Sequence, residues 1–172
     1  MRKLFLIMLL FFLAGCDLGM QSYQHKKYNF SLLIPRGWYV EEDTPEGMAL
    51  VVKEKMRSEQ DRFQESIVVV VKELVPPIAL DILYDINKEK IMEIVPGEKY
   101  NFSDEFIFSS LGKGKCLCFN DKLEKDLELK VRSCLWVRAN QMYVISATCD
   151  QKEARHYEKR FKKIMQSLAY KK

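Results

Sequence analysis

Three patterns in the sequence predict an α+β fold: an antiparallel β-sheet with a C-terminal meander and helices packed on both faces. From Lys113 onward, strand-like segments follow one another across short polar loops, and short loops join antiparallel neighbours. Two other stretches, one from Leu80 and one from Asp150, carry apolar residues at helical spacing. Ser66 to Leu74 (SIVVVVKEL) is a β-branched run of the kind that fills a central strand buried on both faces.

The chain opens MRKLFLIMLLFFLAGCD. Arg2 and Lys3 precede an unbroken apolar run from Leu4 to Leu13, and the small residues Ala14 and Gly15 lead into Cys16. A cationic start, a short apolar stretch and small residues before a cut make a secretory signal. About ten apolar residues rise only ~15 Å as a helix, against a hydrocarbon core of ~30 Å, so the run is too short to stay as a span. Leu13-Ala14-Gly15-Cys16 resembles the lipobox of bacterial lipoproteins. The likeness implies that residues 1–15 are removed and that Cys16 is acylated, by chains such as palmitate, as the first mature residue. A plain cleaved signal, or an uncleaved anchor, is the alternative. In lipoproteins similar to this one, an aspartate in the place of Asp17 implies retention at the inner membrane, facing the periplasm.

Of the 172 residues, 157 follow position 15, enough for one domain and too few for two. Loss of Arg2 and Lys3 leaves 26 cations against 24 acids, so net charge points to no partner, and no nucleic-acid partner is expected. The distribution says more. Asp150 to Lys172 holds eight cations and three acids, a local +5 on a body of about −3. Lys152, Arg155, Lys159, Arg160, Lys162 and Lys163 could therefore face an acidic partner or anionic headgroups; a solvated outer face is the plainer reading.

Residues 16–27 read as the lipidated cysteine and a polar tether, with His25 exposed among lysines, and residues 28–172 as a single domain. Tyr28, Phe30, Leu32 and Ile34 share one face of a first strand, stopped by Pro35 and Gly37. Trp38 to Val40 restart an extended piece, an acidic link leads to a short strand at 48–53, and residues 54–65 are a charged loop. After the central strand, Pro76-Pro77 set a helix start. Leu80, Leu83, Tyr84, Ile91, Ile94 and Val95 form that helix's apolar stripe, which Pro96-Gly97 end. Strands follow at 104–111, 113–119, 127–138 and 141–149. Asp150 can cap the last helix, with Glu153 completing a capping-box variant, and its buried stripe is Ala154, Tyr157, Phe161, Ile164, Met165 and Leu168.

Tyr28-x-Phe-x-Leu-x-Ile-Pro-x-Gly-Trp38, followed by a central strand, a helix, a meander and a terminal helix ending Phe161 to Leu168, resembles the PsbP-like and DcrB-like domains. The likeness spans residues 28–169. It implies a PsbP-like α/β/α sandwich, a fold used for docking, with no shared catalytic residues to carry over; many similar members are bacterial lipoproteins.

Residue chemistry adds little. With only His25 and His156, widely separated, neither a histidine triad nor a histidine metal site is expected, and no cofactor is implied. Gly112-Lys113-Gly114-Lys115 lacks the spacing of a phosphate loop and reads as a turn. Trp38, Tyr39, Trp136 and Tyr143 could line a pocket, although packing explains them as well.

Four cysteines follow Cys16. Alternation puts Cys116, Cys118 and Cys134 on one face. A two-residue turn at Asn140-Gln141 would set Ala147 opposite Cys134 and bring Cys149 to the same side. If residues 124–126 form a three-residue loop, Leu123 opposes Leu127, Phe119 meets Val131 and Cys116 meets Cys134, close enough for a disulfide. A longer loop from Asn120 to Asp126 would set Cys116 against Lys130 and forbid the bond.

The expectation is a membrane-anchored lipoprotein without catalytic residues, a docking or assembly factor holding an envelope protein partner. An envelope hydrolase or thiol-redox enzyme, or a carrier of a small apolar ligand, is the alternative. A deep pocket converging on polar groups would favour chemistry, and a flat surface would favour docking.

Overall fold

The computed structural model describes residues 19–58, 61–95, 102–124 and 126–171. Cys16, Asp17 and the Pro96-Gly97 stop lie outside them. Among the described residues, ten strands form two antiparallel sheets. The small sheet holds β1 (Met20–His25), β2 (Phe30–Pro35) and β10 (Ala169–Tyr170), in the order β1-β2-β10. The large one holds β3 (Tyr39–Glu42), β4 (Leu50–Lys53), β5 (Ser66–Glu73), β6 (Ser103–Ser109), β7 (Gly112–Glu124), β8 (Leu127–Arg138) and β9 (Gln141–Asp150), ordered β3-β4-β5-β9-β8-β7-β6. Helix α1 (Leu80–Ile94) joins β5 to β6, and a 3-10 turn (Gln151–Glu153) leads from β9 into helix α2 (Ala154–Gln166).

Strand β1 corrects the tether reading of residues 16–27. From Met20 the chain is paired to β2, residue by residue from Met20 opposite Pro35 to His25 opposite Phe30. Only Met20 and His25 of this strand are buried, and Gln21, Ser22 and Gln24 face solvent. Backbone pairing and the two buried ends hold it, which is why it shows no apolar period. The folded unit thus reaches back beyond residue 28.

The central strand is also corrected. Ile67, Val69 and Val71 are buried, while Val68 and Val70 are half-buried, because the cover on their face is partial. The α1 stripe holds at Leu83, Tyr84 and Val95 but not at Ile94, which is 77% exposed.

Each helix has its own set of sheet residues. Leu83 packs with Leu74, Leu135 and Met142, and Tyr84 with Leu117 and Phe119. The α2 residues Tyr157, Phe161, Ile164 and Met165 share a core with Cys134, Trp136, Tyr143, Ile145 and Ala147, and with Phe30, Leu32 and Ile34 of the small sheet. The two sets alternate along β8 and β9. Trp136 and Tyr143 are thus core residues, Trp38 is nearly buried, and Tyr39 is exposed.

In the meander, Phe119 opposes Val131 and Cys116 opposes Cys134. The turn is tighter than a three-residue loop: Glu124 opposes Leu127, and a bulge between Lys122 and Glu124 absorbs Leu123. At the next turn Arg138 opposes Gln141, around Ala139 at φ 51°. Cys134 therefore faces Ile145, not Ala147. The slip is two residues, and an even slip leaves every side chain on its face.

Candidate functional site

The six cations predicted as a surface lie along the 3-10 turn and α2. Asp150 accepts the Lys152 N–H at 2.8 Å and so caps the 3-10 turn. Glu153 does not close the capping box; its carboxylate accepts from Arg57 Nη1 at 3.2 Å instead. Lys152, Arg155 and Arg160 converge with Arg57, Glu54, Glu153 and His156 on an open groove of about 560 Å³. Lys159, Lys162 and Lys163 are exposed along the same helix.

Tyr157 lies buried beside this groove and is bonded to two of its lining residues. Its ring lies 6.3 Å from Trp38 and 5.5 Å from Phe161. Its hydroxyl accepts from Arg57 Nη2 and donates to the Glu54 carboxylate. Burial, and then the bond to Glu54, push its ionisation well above the ordinary range, so it acts as a fixed donor. The Arg57 and Arg160 guanidinium carbons stand 5.9 and 5.7 Å from the ring centroid. Arg57 comes from a charged segment without periodicity, and no signal in the sequence marks it.

On the opposite flank of α2, Arg132 is nearly buried. It donates to Glu105 at 2.6 Å and to Glu158 at 3.3 Å. Burial opposes its charge, but the Glu105 bond and the neighbouring charges outweigh it. The same bond holds the Glu105 carboxyl below its usual range. Arg132 sits beside both free thiols: Cys118 pairs with it across β7 and β8, and all three residues line a gap of about 30 Å³. Burial pushes the Cys118 thiol up and the Cys149 thiol to about 12. Reactive cysteines require the reverse, a lowered pKa. Cys116 and Cys134 are bonded to each other, with Cα atoms 3.9 Å apart.

Under α1, Tyr84, Ile91, Leu117, Leu135 and Val144 line a gap of about 40 Å³. A water occupies about 30 Å³ of liquid, whereas small-ligand pockets run to ~300–1,000 Å³. The gaps beneath both helices are far below that size and too small for a carried apolar ligand.

No family model and no curated protein matches the chain. Solved structures do. Cyanobacterial PsbP (CyanoP) from Synechocystis sp. PCC 6803 is similar at 13% identity and a TM-score of 0.65, over 91% of this chain and 95% of that one. LpqN of Mycobacterium tuberculosis, involved in cell envelope biogenesis, matches at 10% and 0.64, over 89% and 91%. The Saccharomyces cerevisiae Ran-binding protein Mog1p matches at 13% and 0.59, over 88% and 95%. The chain has the PsbP-like fold.

Proposed function

We propose that this chain is a lipid-anchored protein of the bacterial envelope that works by docking to a protein partner. One observation carries the reading: a signal-like segment ends in Leu13-Ala14-Gly15-Cys16, and the folded unit is paired from Met20. A lipid on Cys16 would hold the domain against the bilayer with almost no tether. The sandwich, read with one helix on each face, leaves charged grooves outside and water-sized gaps inside, which supports binding at the surface. LpqN's role in envelope biogenesis and Mog1p's binding of Ran are in keeping with such a use.

Acyl chains contribute ~0.8 kcal/mol per buried methylene, so two or three chains hold a protein at a bilayer where one does not. The test is to fractionate cells expressing wild type and Cys16→Ser, with the mass of the mature N-terminus as a second readout. Wild type should carry acyl chains on Cys16 and stay with membranes, and the variant should leave them. A variant that is still processed after Gly15 and stays bound through detergent-free washes overturns the anchor. Asp17 directs the protein to the inner membrane in this reading, and density-gradient separation beside Asp17→Ser checks that. Pull-down of the lipidated form then seeks the partner.

A further inference from the structure

The small sheet and α2 run alongside each other, and two contacts fix their alignment. The Leu33 N–H donates to Ser167 Oγ at 2.8 Å, and the Trp38 and Tyr157 rings lie 6.3 Å apart. Leu33 to Arg36 spans about 10 Å of extended chain, and Ser167 back to Arg160 spans about 10 Å of helix. Arg36 is therefore level with Arg160.

Arg36 also marks where the N-terminal segment leaves the fold. Its N–H donates to Gly19 O at 2.8 Å and its Nε to Met20 O at 3.1 Å. Cys16 is three residues before Gly19, a reach of at most ~11 Å. An anchor on Cys16 thus has its root beside the cationic flank of α2.

On a helix, residues 156, 160, 163 and 167 fall on one flank, three or four apart. Ser167 is tied to β2, so this flank borders the small sheet. Arg36 and Lys163 are exposed there, Arg160 is half-exposed, and Arg155 and Lys159 continue the positive surface outward. The acids Glu54 and Glu153 on this side are occupied with Arg57.

We infer that this flank, Arg36 with Arg155, Lys159, Arg160 and Lys163, is the membrane-facing side and rests on the headgroups of an anionic bilayer. The inference rests on the anchored reading above. A cation near an anionic surface gains about 1 kcal/mol, roughly fivefold, and the attraction fades within a Debye length. The short reach from Cys16 keeps the flank inside that range.

Lysine acylation footprinting of the lipidated protein tests this, on phosphatidylcholine vesicles with and without phosphatidylglycerol. Lys159 and Lys163 of the flank, and Lys152, which shares the groove with Arg155 and Arg160, should be modified about fivefold more slowly on the anionic vesicles. Lys72 and Lys90, exposed on β5 and α1, should not change. In Arg155→Glu/Lys159→Glu, altered only at exposed positions, protection of Lys152 and Lys163 should fall towards the phosphatidylcholine level. Three outcomes overturn the inference. Protein that floats with both vesicles but shows no difference between lysine sets overturns the orientation and leaves the anchor standing. Protein that fails to float with phosphatidylcholine vesicles overturns the anchor and this inference with it. Protection that arises only when envelope proteins are added assigns the flank to a protein partner.

Discussion

The imidazole Nε2 of His25 lies 2.9 Å from the carbonyl oxygen of Ala49, across the junction of the two sheets. Ala49 N in turn donates to Val69 O at 2.8 Å, so this one side chain ties the N-terminal strand to the centre of the large sheet. The ring is 1% exposed, stacks on Phe30 at 5.1 Å, and offers Nδ1 to the Tyr28 N–H at 3.4 Å. An Nε2–H tautomer satisfies both bonds.

His25→Ala removes the link, leaves the Ala49 carbonyl unpaired and opens a void. It should cost about 2–4 kcal/mol. Urea unfolding of the Cys16→Ser chain measures this, with His156→Ala, on the exposed flank of α2, expected within about 0.5 kcal/mol of its parent. Equal small effects would mean that β1 is held by backbone pairing alone.

Arg132, nearly buried, forms an ion pair with the one-third-exposed Glu105. Breaking a buried pair costs about 3–5 kcal/mol, and Glu105 is one-third exposed, so about 2 kcal/mol is expected for Glu105→Gln. Arg132→Met, which refills the space, should cost less. The pH dependence has a definite sign. The Glu105 carboxyl is held low by Arg132, so its stabilisation is full above the usual carboxylate range and is lost as pH falls through the lowered value. The stability gap between wild type and Arg132→Met should therefore be widest near neutrality and close below about pH 4. A gap independent of pH would assign the effect to packing.

How far the sequence reveals this molecule depends on what sets each feature. Phe119 opposite Val131 could be counted from a turn, because an antiparallel register propagates from one end. At the next turn the left-handed Ala139 takes the first turn position, so the two-residue turn sits at 139–140 rather than 140–141, and the pairing shifts by two while the faces survive. Strand β1 could not be seen, since MQSYQH is held by its backbone and buries only its ends. The cations of α2 were legible as a charge count. Their groove was not, because Arg57 reaches Tyr157 from 100 residues away.

Gly114 shows a constraint that composition hides. A Cβ built there would lie 2.5 Å from Trp136 Nε1 and 2.6 Å from Cε2. The indole is fully buried and packs over the bare backbone of β7. Gly114→Ala should thus displace Trp136 and cost about 1–3 kcal/mol or more. The measurement is thermal unfolding together with Trp fluorescence, which should shift to the red as the indole moves. Gly19→Ala, with open space around its Cβ, is the control and should leave the spectrum unchanged.

The cysteines give the last prediction. Cys116 and Cys134 are directly opposed on β7 and β8 and bonded, while Cys118 and Cys149 are buried thiols. Non-reducing peptide maps of the exported Cys16→Ser protein should contain one bridged Cys116–Cys134 peptide. The bond closes a loop of about 18 residues, so its reduction should cost about 3 kcal/mol on the chain-entropy account. Native protein should show no rapid reaction with an alkylating reagent near pH 8, and denatured protein should show two thiols. The alkaline limb follows from burial. Cys149 is pushed up to about 12, so between its ordinary range and that value the folded chain holds a proton that the unfolded chain releases. Stability should be flat up to about pH 9 and fall as pH rises beyond it. Replacing Cys149 with Ala should make that limb shallower, with the raised Cys118 and Tyr157 groups supplying the rest of the slope. Four alkylated thiols in the non-reduced, denatured protein would remove the bond from the account, and fast native alkylation of Cys149 would remove its burial.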